Sequence, residues 1–187
     1  MTEPQEKPEV ISTTEIYNGK IFDVDVSEIR HGDAEYKREI VRHPGSAVMV
    51  AVFADKTVAL VRQYRYAAEK FLLEIPAGTL NKNEAPEIAA ARELEEEIGV
   101  KAGKIEKLIE FYVSPGFLTE KMFVYLMTDL EESEQKLEED EILAVERFTF
   151  PEAFEKIREG EIQDAKTIVG LIFAGERFGF RFHYPRL

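Results

Sequence analysis

The run Arg92-Glu93-Leu94-Glu95-Glu96-Glu97-Ile98-Gly99-Val100 constrains this chain more than any other segment. On a helix, Glu93, Glu96 and Glu97 stand at i, i+3 and i+4 and share one face. Three carboxylates so placed repel one another. A hard divalent cation with oxygen ligands removes that cost, and Mg²⁺ is the usual choice where phosphates are also present. Ile88, Ala91, Leu94 and Ile98 fall on the opposite face and read as its core stripe. The expectation is a helix packed on one side and metal-binding on the other. Asn81 to Glu84, with Pro86 in the first turn, supply its start, and Gly99 supplies its stop.

The wider spacing separates this reading from a merely solvated acidic helix. Gly78 is followed by five residues and Glu84, then by seven residues and Arg92-Glu93. Apolar Leu94, the pair Glu96-Glu97, Gly99 and apolar Val100 complete the series. Paired surface charges alone give no reason to fix Gly78, Glu84 and Gly99 as well. The series resembles the Nudix box, G-x5-E-x7-R-E-U-x-E-E-x-G-U with U apolar, at every defining position.

Composition sets the outer bounds. A length of 187 residues suits one domain, or one domain with a short N-terminal extension. A formal net charge of −13 argues against binding nucleic acid through its phosphates. An anionic substrate then needs a local cationic site or metals. Absence of cysteine removes disulfides and thiol chemistry. No apolar run approaches the roughly 20 residues of a membrane helix, and the longest, Ala47 to Ala54, reads as a buried strand. Met1 to Glu9 is polar and has no signal-peptide core, so a cytoplasmic location is the default expectation.

Periodicity predicts the element order. Residues 1–12 read as a loose tail, and 14–17, 21–30 and 35–42 alternate as an antiparallel meander turning at His31-Gly32-Asp33. Strands are expected over 47–53, 57–64, 71–76, 105–113, 121–128 and 143–150. Helices are expected up to Gly99, from Pro151 to about Arg158, and over about 164–175. Strands flank and separate these helices without a βαβαβ rhythm, which indicates α+β. The resemblance adds a Nudix-type α/β/α sandwich with a mixed central sheet and an N-terminal antiparallel extension. The expected division is residues 1–43 as tail and strands and residues 44–187 as the Nudix hydrolase domain.

What the resemblance implies for chemistry can be placed residue by residue. Nudix enzymes cleave a pyrophosphate joining a nucleoside to another moiety, and metal neutralises the anionic oxygens. The metal ligands implied are Glu93, Glu96 and Glu97 with the carbonyl of Ala77, holding Mg²⁺ or Mn²⁺. Arg92 orients a box glutamate. The segments Val61 to Tyr66, Phe71 to Gly78 and Ser114 to Glu120 resemble ADP-ribose pyrophosphatases, with Pro115 fifteen residues beyond Val100. Arg65 then holds a substrate phosphate, since guanidinium matches phosphate oxygens bidentately. Tyr36, Arg38 and Glu39 lie in a region that relatives use, often from a partner subunit, to grip the adenine and diphosphate. Relatives stack adenine between tryptophans; with no tryptophan in the chain, that stacking needs Phe22 or Tyr36, or is absent. The catalytic base is expected in the acidic run Glu131 to Glu141, with Glu141 favoured and Glu139 its competitor. The implied activity is Mg²⁺-dependent hydrolysis of ADP-ribose by a homodimer exchanging N-terminal strands. GDP-mannose or another nucleotide sugar is the alternative substrate, and a non-catalytic nucleotide-sensing domain the alternative class.

Overall fold

A computed structural model describes residues 7–137 and 142–183. The chain divides into two compact units. One comprises the described residues up to Gly45 together with Tyr112–Lys121. The other comprises Ser46–Phe111 and the described residues from Met122 onward.

The first unit is an antiparallel meander of β1 (Glu9–Asn18), β2 (Asp23–His31) and β3 (Ala34–Arg42). Gly32 provides the left-handed turn residue between β2 and β3 at φ 58°. The stretch expected as a loose tail is therefore partly strand, because β1 begins at Glu9. Every residue of β1 is exposed, including Val10, Ile16 and Tyr17. Only Ser27 and Ile29 are buried in this sheet. The segment 113–120 is tied to the end of β3. Val41 N–H donates to the Phe117 carbonyl at 2.7 Å, and Thr119 N–H donates to the Val41 carbonyl at 3.0 Å.

The second unit carries two sheets. β4 (Ser46–Ala51) lies between β7 (Ala77–Thr79) and β9 (Lys121–Glu132), with β8 (Val100–Tyr112) outside β9. This sheet is mixed: β4 runs parallel to β9 and antiparallel to β7. β10 (Leu143–Thr149), β5 (Thr57–Arg65) and β6 (Lys70–Glu74) form an antiparallel sheet in that order. The helices are α1 (Pro86–Ile98), α2 (Phe150–Arg158) and α3 (Ala165–Arg177).

β4 is buried along its whole length, and its alternation divides two cores. Val48 and Val50 face one core with Leu60, Leu73, Phe150 and Leu171. Ala47, Met49 and Ala51 face the other, with Ala89, Ala90 and Leu94 of α1. A sheet residue pattern that is apolar on both faces demands cover on both sides, which the helices supply. Leu94 is fully buried, so truncation to Ala costs about 2–5 kcal/mol.

α1 departs from its expected stripe. Ile88 is exposed, and the buried residues are Ala89, Ala90, Leu94 and Glu97. Leu94 is buried and Ile98 packs on the same core, as expected, so the buried face is rotated toward the small Ala89 and Ala90, which lie in one core with Ala47, Met49 and Ala51 of β4. Its end is as expected: Gly99 adopts φ 66° and returns its N–H to the Glu95 carbonyl at 3.0 Å. Three further carbonyls at this end are met from the segment after β9. Lys136 N–H donates to the Glu96 carbonyl at 2.9 Å, Gln135 Nε2 to the Glu97 carbonyl at 2.6 Å, and Ser133 N–H to the Gly99 carbonyl at 2.8 Å.

Candidate active site

Arg92 organises the acidic face of α1. Its Nε and Nη2 donate to the two oxygens of Glu84 at 3.0 Å each. Its Nη1 donates to Glu93 at 2.6 Å and to Glu96 at 2.8 Å. The Arg92 bond holds the Glu84 carboxyl down at about 2, helped by the backbone N–H of Asn81. The same bonds push the guanidinium upward and keep it charged. Arg92 thus neutralises carboxylates that would otherwise repel, and Glu84 braces Arg92 from the loop before the helix.

Gly78 has a steric task. A Cβ on Gly78 would lie 1.9 Å from Cδ and 2.2 Å from Oε1 of Glu93. The Glu93 carboxylate therefore rests over the backbone of β7, directly after Ala77. Glu97 is buried to 5% exposure on the same helix.

Arg65 ends β5 and makes a bidentate pair with Glu74 at 2.9 and 2.8 Å. Glu74 is only 1% exposed and also accepts a short bond from Lys166. Burial pushes the Glu74 carboxyl up, but the bonds and charges of Arg65 and Lys166 outweigh it and hold it below the usual range. The bond to Glu74 raises Arg65 above its ordinary value despite burial, and Glu97 adds to the effect through space. Glu97 and Arg65 therefore belong to one electrostatic neighbourhood.

The other expected residues lie in the first unit. Arg38 and Pro115 line an open pocket of about 290 Å³ with Ile40, Arg42 and Thr119. The Arg38 guanidinium lies 4.3 Å from the Tyr36 ring centroid, covering one face of that ring. Glu39 is exposed on β3 opposite Val26. Phe22 packs against Tyr17 at 5.8 Å. Glu139 and Glu141 fall outside the described residues.

Glu74, Lys166, Ser133 and Gln135 were not anticipated from sequence. Glu74 did carry a signal: an acid between Leu73 and Ile75 in an apolar strand must find a buried partner. Gln135 carried none, since its partner is a backbone carbonyl.

The carboxylate oxygens of α1 are chemically the donors a hard cation takes. As placed, no three His, Asp or Glu side chains among the described residues converge to hold a metal. Arg92 provides the positive charge between Glu93 and Glu96 instead.

This chain belongs to the Nudix family: residues 43–169 match the NUDIX domain. Its fold agrees, since it superposes on a crystal structure of an ADP compounds hydrolase with a TM-score of 0.83. That match has 20% sequence identity and covers 95% of this chain and 97% of the other. Among relatives, it is 42% identical over 161 residues to an ADP-ribose pyrophosphatase of Bacillus subtilis, covering 84% of this chain and 86% of that one. It is 40% identical over 165 residues to a methanol dehydrogenase activator of Bacillus methanolicus, covering 86% and 89% respectively.

Proposed function

We propose that the protein hydrolyses the pyrophosphate of ADP-ribose, giving AMP and ribose 5-phosphate, with a divalent cation, Mg²⁺ or Mn²⁺. The observation that carries this reading is the Arg92 constellation: one guanidinium gathers Glu84, Glu93 and Glu96 beside a glycine that leaves room for the Glu93 carboxylate. Similarity to an ADP-ribose pyrophosphatase over most of both chains supports the choice of substrate.

Glu93, Glu96 and Glu97, with the Ala77 carbonyl, would hold the cation. When bound, it neutralises phosphate oxygens and lowers the pKa of water. Arg92 orients Glu93 and Glu96. Arg65 offers a guanidinium to a substrate phosphate, with its position set by Glu74. Arg38, Tyr36, Glu39 and Pro115 grip the nucleoside side, with Tyr36 or Phe22 against the base. Glu141, or Glu139, accepts the proton of the attacking water.

Residues 1–43 form the arm of an exchanging homodimer, and residues 44–187 the catalytic domain. The wholly exposed β1 supports this, because a three-stranded sheet with few buried residues gains little from its own burial. Among the described residues no helix is long and apolar enough to cross a membrane. The test is product release from ADP-ribose, GDP-mannose, diadenosine polyphosphates and NADH with Mg²⁺ and with Mn²⁺. ADP-ribose is expected to give the highest kcat/KM. A preference for GDP-mannose would replace the substrate, and no turnover on any of them would remove the reading.

A further inference from the structure

Lys166 is buried to 7% exposure in the first turn of α3. That is a poor place for a cation, because the helix N-terminus carries partial positive charge. Burial of a charge adds a further penalty, and replacing buried ion clusters by apolar residues is often neutral or stabilising. Stability alone therefore gives little reason for a lysine here.

Its contacts give another. Lys166 Nζ donates to Oε2 of Glu74 and lies 3.1 Å from Oδ2 of Asp164. Glu74 Oε2 is the same oxygen that receives Arg65 Nη2. Asp164 is itself fixed as the N-cap of α3, receiving Thr167 N–H at 3.0 Å. Thr167 Oγ1 accepts the Ile75 N–H at 2.9 Å, so the residue after Glu74 is tied to the same turn. The chain of contacts runs from the helix cap through Lys166 to Glu74 and on to Arg65. At its end, Arg65 uses Nε and Nη2 on Glu74, while Nη1 makes no hydrogen bond among the described residues. Its side chain is 39% exposed.

We infer that Lys166 is a positioning residue for the reaction: it holds the Glu74 carboxylate in the orientation that presents the outer edge of Arg65 to a substrate phosphate. Lys166 does not touch substrate. This rests on the reading of Arg65 as a phosphate ligand. Without Lys166, the Glu74 carboxylate has one partner fewer and can rotate, and Arg65 follows it. Binding energy is then lost as the guanidinium must be reoriented on each encounter.

A double-mutant cycle in the full-length protein tests this, with steady-state kinetics on ADP-ribose and Mg²⁺. Arg65→Ala is expected to lower kcat/KM by about 10²-fold. Lys166→Met is expected to lower it by about tenfold, mostly through KM, in the native background and by less than about twofold in the Arg65→Ala background. Thr149→Ala removes the capping box of α2 without touching Glu74, Asp164 or Lys166, and is expected to lower Tm with no Arg65-dependent loss. If Lys166→Met does not fold, Lys166→Gln replaces it in the cycle. Equal losses in both backgrounds, no loss in either, or the same coupling from Thr149→Ala would overturn the positioning role. An unchanged kcat/KM for Arg65→Ala would instead remove the phosphate-ligand reading on which it rests.

Discussion

Gly78→Ala separates a site residue from a fold residue more cleanly than removal of any carboxylate. Gly78 does not lie in the left-handed region, so alanine meets no backbone strain there. The new Cβ would sit 1.9 Å from the Glu93 Cδ, whereas carbon atoms settle at about 3.5–4.0 Å. The Glu93 carboxylate must retreat by roughly 1.5–2 Å. It stands at the end of a flexible side chain, so the fold absorbs the movement at low cost, and loss of glycine from a strand returns about 0.5–1 kcal/mol. Catalysis has no such tolerance, since a misplacement of about 1 Å can cost 10²-fold. The expected result is a Tm at or slightly above that of the native protein with kcat reduced by about 10²-fold or more. The assay is AMP formation from ADP-ribose across a Mg²⁺ titration, beside a thermal melt. Near-native kcat at saturating Mg²⁺ would refute the placement of Glu93 over β7 as a requirement of the site.

Glu97→Gln keeps the shape of the side chain and removes a hard anionic ligand, so metal-dependent turnover is expected to fall by orders of magnitude while the melting curve stays in place; unchanged turnover would take Glu97 out of the metal set. Glu141→Gln is expected to lower kcat by about 10²–10⁴-fold with metal affinity nearly intact, and Glu139→Gln by much less. The reverse order in a kinetic comparison would move the base to Glu139. Because the Glu84 carboxyl lies at about 2 in the folded chain against an ordinary 4.5, its contribution is full above about pH 4.5 and is lost as pH falls toward 2. With the pair partly solvated, that contribution is on the order of 1 kcal/mol. Denaturant melts at pH 3 and pH 6 should show a smaller acid loss in Glu84→Gln than in the native protein, and equal losses would place the acid sensitivity elsewhere.

The acidic helix, its glycine stop and most strands were legible because each is written in local spacing. The pairing of Arg92 with Glu84 could be anticipated from the box, since both residues sit in one short segment. The Arg65–Glu74–Lys166 contact could not, because its last link spans 92 residues of sequence and is made only when α3 docks. The exposed Ile88 was misread for a related reason. Helical periodicity placed Leu94 and Ile98 against the core, but it did not weigh the small Ala89 and Ala90, which are buried beside them while Ile88 is not. β7 escaped notice because it has three residues and exists only by pairing with β4.

The bonds from Ser133, Gln135 and Lys136 to the last turn of α1 have a consequence for chain length. Three donors within a few residues match three carbonyls at one helix end, so the two segments share a single register. An insertion or deletion directly after Glu132 would shift all three donors at once and leave carbonyls of Glu96, Glu97 and Gly99 without them, and one after Ser133 would shift the other two. The helix would fray from the end that carries the carboxylates. Spacing in the strand exit is therefore as constrained as spacing within the acidic motif, through backbone carbonyls of the helix that carries it.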